Sequence, residues 1–187
     1  MLPVIIGIIV GAIVLILALW FFFSYNGLVR TRNRIDNAWS QIDVQLKRRH
    51  DLIPNLIETV KGYAAHEQGT FEKVVAARNA AVSAQGPQEA AAAENVLTGA
   101  LRQVFALAEN YPDLKANQSF LSLQEELTST EDRISYSRQF YNDSVLKYDN
   151  KLETFPSNTI AGMFSFKPRE YFEVQDPADR EVPKVQF

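Results

Sequence analysis

Residues 1–25 carry no charged side chain, and the first basic residues after them are Arg30, Arg32 and Arg34. A helix needs about 20 predominantly apolar residues to cross the ~30 Å hydrocarbon core, and the run 4–23 supplies them. Backbone groups in lipid must be satisfied within the segment, so a spanning stretch of this kind is a helix. A cleaved secretory signal fits poorly. Such signals carry a basic leading region, a short apolar stretch and a small-residue cleavage site. Here nothing basic comes first, and bulky Trp20, Phe21, Phe22 and Phe23 occupy the exit. No cysteine is present to be acylated as in lipoproteins. Residues 1–27 therefore read as a retained anchor, with Trp20 and Tyr25 suited to the membrane–water boundary.

Charge asymmetry sets the expected orientation. Lys and Arg close to a span stay on the cytoplasmic side. None precedes this span, whereas Arg30, Arg32 and Arg34 follow it, with Lys47, Arg48 and Arg49 further on. The expected arrangement is a single pass through the plasma (inner) membrane, N-terminus outside and the larger part cytoplasmic. These membrane-proximal basic residues also suit anionic lipid headgroups, at about 1 kcal/mol each near the surface. A net charge of -3 and a pI near 5.5 argue against a nucleic-acid partner. Gly7 and Gly11 have the Gly-x-x-x-Gly spacing that lets spanning helices approach closely, although apolar spans often contain it by chance.

The remaining residues, about 160, are enough for one domain with its own core. Ile35, Trp39, Ile42, Leu46, Arg49, Ile53, Leu56, Val60 and Tyr63 alternate steps of four and three. That 3.5-residue repeat, the coiled-coil spacing, places them on one helical stripe. It predicts a helix over 28–67, kinked near 50–53 where Pro54 removes a hydrogen bond. A second helix is expected from a Thr70 cap to Gly86-Pro87. A third follows through the alanine-rich stretch from Gln88, and a long fourth spans 114–152 with Asp113 as N-cap. Phe120, Leu127, Ile134, Tyr141 and Tyr148 recur every seven residues along the fourth. Phe155-Pro156-Ser157 ends the helical pattern. The expected fold is all-α: an N-terminal transmembrane helix, then an up-and-down bundle of about four helices over 28–155, the first and last long. An irregular tail over 156–187 carries Phe164, Phe166, Tyr171 and Phe172 and is expected to wrap onto the bundle. Its last ten residues are expected to be disordered.

Motifs for chemistry are lacking. His50 and His66 are the only histidines, and neither completes a Glu-x-x-His or His-Glu-x-x-His pair. Gly-x-Ser-x-Gly, a phosphate-binding glycine loop and a thiol nucleophile are all missing. His50 and Asp51 are adjacent, hence about 100° apart on a helix, and read as separate surface or capping groups. No catalytic, cofactor-binding or metal-ligating residue is assigned, and no cofactor is expected. Polar residues in the apolar seams are more informative. Arg49 interrupts the first stripe, while Gln124, Glu131 and Arg138 sit seven apart on the fourth helix. They either flank the core and reach water, or Arg49, Glu131 and Arg138 form a partly buried network that fixes helix register.

Three sets of residues resemble the LemA family. The first is Tyr25-Asn26-Gly27-Leu28-Val29-Arg30 with Ala38-Trp39-Ser40-Gln41-Ile42-Asp43-Val44-Gln45-Leu46-Lys47-Arg48-Arg49. The second is Asp51-Leu52-Ile53-Pro54-Asn55-Leu56 with Val60-Lys61-Gly62-Tyr63. The third comprises Glu109-Asn110-Tyr111-Pro112-Asp113-Leu114-Lys115, Glu131-Asp132-Arg133-Ile134, Tyr141-Asn142-Asp143 and Phe155-Pro156-Ser157-Asn158. The resemblance implies a bacterial protein with one N-terminal span and a long-helix bundle, without an established activity. It also brings two family associations, magnetosome membrane machinery and a membrane metalloprotease as a neighbour. The expected function is a membrane-anchored scaffold for protein–protein interaction or self-assembly, with the bilayer and a protein partner or second copy as its contacts. The alternatives are an adaptor of a membrane protease and a cryptic enzyme.

Overall fold

The computed structural model describes residues 1–173. Its regular elements are all helical: α1 Leu2–Lys61, α2 Gln68–Ser83, α3 Gly86–Ala108, α4 Pro112–Lys115, α5 Gln118–Glu153 and α6 Ser157–Met163. The expected all-α class with long first and last bundle helices is present, α1 having 60 residues and α5 having 36. Among the described residues one helix, α1, is long and apolar enough to cross a membrane. The apolar part of α1 runs without a break into its amphipathic part. Gly27 costs about 1 kcal/mol against alanine, too little to stop a long helix.

Several boundaries differ from the sequence reading. Thr70 lies inside the first turn of α2 and is not its cap. Gly86-Pro87 opens α3 instead of closing α2, because a proline in the first helical turn gives up an N–H that has no partner there anyway. Glu89 reaches back to accept the Gln85 N–H at 3.0 Å. The expected helix over 114–152 is divided into α4 and α5. Asn117 Oδ1 accepts the Phe120 N–H at 3.0 Å, so Asn117 and not Asp113 starts the long helix. The tail is not wholly irregular, since α6 lies within it. Its last ten residues lie outside the described ones.

The chain divides into two compact units. The larger comprises Trp39–Phe140 and, of the described tail, residues 170–173. Its core draws Ile53, Leu56 and Val60 from α1, Phe71 and Val74 from α2, Leu97, Leu101 and Val104 from α3, Leu114 from α4, and Phe120 and Leu127 from α5. Each such side chain contributes about 1.5–3 kcal/mol on burial. Trp39 packs on Phe172, their ring centroids 5.8 Å apart, so that part of the tail lies on the helices.

The other unit comprises Met1–Ala38 and Tyr141–Arg169. Leu28, Ile35 and Ala38 of α1, Tyr141, Val145 and Tyr148 of α5, and Ile160 and Ala161 of α6 are buried. Lys151 Nζ donates to the Gly27 carbonyl at 3.3 Å and to Thr31 Oγ1 at 3.0 Å. Arg169 pairs with Asp36 at 2.9 Å. After α6 the Phe166 N–H bonds back to the Ala161 carbonyl and the Ser165 N–H to the Gly162 carbonyl. With Ser165 at φ 53 this is a Schellman closure, built on a serine where glycine is usual. It carries Phe164 onto Phe21 and Tyr25, at 5.8 and 4.8 Å between centroids, and Phe166 onto Tyr25 at 5.9 Å.

Tyr148 is 1 % exposed. Burial pushes its phenol above the ordinary value of 10.0; Arg169 and Arg32 oppose the shift, while Asp149 and Asp36 add to it. A folded-state value above the unfolded one means the stabilisation is complete below the unfolded value and is lost as pH rises through the folded one. Tyr148→Phe should therefore leave stability near neutrality almost unchanged and flatten its decline above pH 10. Urea midpoints measured for both proteins across the alkaline range test this, and parallel declines would refute it.

Candidate functional site

Pro54 sits inside α1. Lacking an N–H, it leaves the carbonyl four residues earlier, that of His50, without its usual helical donor. Arg78 of α2 supplies the replacement, its Nε donating to the His50 carbonyl at 2.7 Å. The defect expected near 50–53 is thus also the point where α2 fastens to α1.

The side chains beside it continue the polar group. Arg49 is 5 % exposed, His50 7 % and Glu94 of α3 5 %. Arg49 donates to Glu94 Oε2 at 3.1 Å, to Thr98 Oγ1 at 2.7 Å and to Glu131 Oε2 of α5 at 3.0 Å. His50 Nε2 lies 2.5 Å from Glu94 Oε1, an arrangement that puts a proton between them. All four long helices therefore meet in one polar cluster. Buried charges are tolerated when paired and hydrogen-bonded on all sides, and here Glu94 receives both Arg49 and His50.

Of the three residues expected to share a network, Arg49 and Glu131 come together and Arg138 does not join them. Arg138 lies two turns beyond Glu131, about 10 Å along α5, and α3 provides the second carboxylate instead. The reading of His50 as a surface or capping group is corrected: its ring is buried against Glu94, while Asp51 is exposed. Glu94 and Arg78 were missed. Glu94 did carry a signal, since Ala90, Glu94, Leu97, Leu101, Val104 and Ala108 alternate steps of four and three, placing it on the seam of α3 as Arg49 is on that of α1.

Among the described residues no group of three or more His, Asp or Glu is arranged to hold a metal ion. Arg30, Arg32 and Arg34 are exposed just after the apolar part of α1, with Arg32 lying 5.5 Å over the Phe166 ring. Gly7 and Gly11 have nothing within 4 Å of where a Cβ would stand.

The outer side of α2 is unusual. Val74, Ala77 and Ala81 face the core, yet Val75 and Val82 are 42 % and 56 % exposed and Ala76 and Ala80 accompany them. A groove of about 570 Å³ runs along this side, lined by Lys61, Ala65, Phe71, Glu72, Val75 and Ala76 among others. Exposed Glu72 and Asn79 lie among these apolar side chains, so the outer side is mixed, with apolar area interrupted by polar groups.

Comparison with known proteins agrees with the family blocks in the sequence. The LemA family profile matches residues 38–187. Protein LemA of Metamycoplasma hominis is 32% identical over 149 residues, covering 75% of this chain and 67% of the relative. Magnetosome protein MamQ 2 of Paramagnetospirillum magneticum and magnetosome protein MamQ of Magnetospirillum gryphiswaldense are each 24% identical over 184 residues, covering 84% of this chain and 68% of each relative. With the profile matched over most of its length and a relative so named at that identity, this chain belongs to the LemA family.

Proposed function

We propose that this LemA-family protein is a single-pass, membrane-anchored scaffold whose helical domain binds other proteins, or further copies of itself, at the membrane. The exposed valines on the outer side of α2, set among Glu72 and Asn79, carry this reading. Val75 and Val82 remain 42 % and 56 % exposed, and covering such apolar area is worth about 25 cal/mol per Å². The apolar part of α1 supports the anchor. The Gly-x-x-x-Gly spacing of Gly7 and Gly11 suits close approach of a second spanning helix. The magnetosome names of two relatives fit a membrane setting. This reading assigns no catalytic role.

Crosslinking and proximity labelling of the intact protein in its membrane test the proposal. The Val75→Glu, Val82→Glu double variant should stay folded with a modest loss of stability, because both positions are part-exposed, while losing the contacts the wild type makes. Gly7→Leu with Gly11→Leu should weaken only self-crosslinks. Self-crosslinks lost in either variant support assembly of copies. A membrane protease as the neighbour lost from the α2 variant supports the adaptor alternative instead. A contact profile unchanged by the α2 variant would remove that face from the case.

A further inference from the structure

The short helix α6 spends its inner side on the buried residues Ile160 and Ala161. Around it, Phe155 is 83 % exposed, Met163 68 % and Phe164 47 %. Three large apolar side chains on one small segment are costly in water and need a cover. The position of the segment along α1 indicates which cover. Phe164 packs on Phe21 and Tyr25. Twenty residues of helix from Leu2 rise about 30 Å, one hydrocarbon thickness, which ends at Phe21. Residues 2–19 of α1 are all exposed, and protein cover begins at Trp20. Phe164 therefore stands where hydrocarbon gives way to headgroups, the level at which aromatic side chains collect. Exposed Arg30 and Lys167 lie on the water side of these rings, near Phe166 and Arg32, suited to anionic headgroups. The Schellman closure at Ser165 holds both phenylalanines against α1 at this height.

We propose that residues 155–166 form a second membrane contact, with Phe155, Met163 and Phe164 entering the bilayer interface beside the spanning helix. This rests on reading the apolar part of α1 as a span. The occupant is lipid rather than a second copy, because the patch continues the apolar surface of α1 at the boundary and is flanked by cations.

The chain has no cysteine, so single cysteines can carry an environment-sensitive dye on the full-length protein. Phe155→Cys and Met163→Cys probe the patch, Val14→Cys the middle of the span, and Asp143→Cys the water side. The proteins are placed in vesicles of phosphatidylcholine and phosphatidylglycerol. Dyes at 155 and 163 should lose most of their emission to lipids brominated just below the headgroup and little to aqueous iodide. The dye at 14 should respond to lipids brominated deep in the chain, and that at 143 to iodide alone. If 155 and 163 behave like 143 while 14 is quenched by lipid, the span stands and the second contact is refuted. Shielding of 155 and 163 from both quenchers means that protein covers them, which also refutes it. A dye at 14 open to iodide overturns the span and this proposal together.

Discussion

Glu94→Ala is expected to destabilise the protein by about 3–5 kcal/mol, because it strands the Arg49 guanidinium in the core without its buried carboxylate. The loss should appear as a lower urea midpoint for the full chain in detergent, followed by circular dichroism. Glu131→Ala removes the other partner of Arg49, but that carboxylate is 49% exposed. Its loss should cost no more than about 1 kcal/mol. Glu125→Ala, at an exposed position, serves as the baseline. Replacing Arg49 with Met, His50 with Leu and Glu94 with Leu together should recover most of the stability, since the three charge-free side chains no longer need partners. If Glu94→Ala unfolds at the same urea concentration as Glu125→Ala, the cluster contributes nothing to holding the helices together.

An all-or-none result is expected for topology. With Arg30, Arg32 and Arg34 after the apolar run and no basic side chain before it, a cysteine at Asp143 should face the cytoplasm. In intact cells Asp143→Cys should resist a membrane-impermeant maleimide and react fully once the membrane is permeabilised, while Leu2→Cys should react from outside. Ready labelling of Asp143→Cys without permeabilisation would reverse the orientation.

The parts of the fold legible in the sequence were those written in long periods. The heptad positions 120, 127, 134, 141 and 148 are all buried, and the 3.5-residue stripe is the inner face of α1 up to Val60; α1 ends at Lys61, short of the expected 67, and Tyr63 is exposed. Element ends were less legible because they depend on single side chains whose role is decided by geometry. Asn117 reads as one polar residue among several until its side chain is seen capping α5. The candidate site was half legible. Arg49 stood out because it broke a stripe of large apolar residues, whereas the stripe on α3 is largely alanine and its interruption by Glu94 was hidden in a segment that reads first as helix propensity. Arg78 could not have been found from its own surroundings, since its task arises from a proline 24 positions earlier.

The placement of Glu94 also bears on which wrong structures this sequence avoids. A seam built on Ala90, Leu97, Leu101, Val104 and Ala108 still turns apolar side chains to the core after sliding by one heptad, so hydrophobicity alone discriminates weakly between alignments. Sliding α3 by seven residues would set Leu101 or Pro87 in place of Glu94, and neither offers an acceptor to Arg49 or His50. Each misaligned state would then leave buried His50 without its acceptor and Arg49 with the half-exposed Glu131 as its remaining carboxylate, a costly error in a core. The cluster thus acts less as glue than as a vernier mark: it leaves the correct alignment only modestly favoured in itself and penalises its nearest competitors.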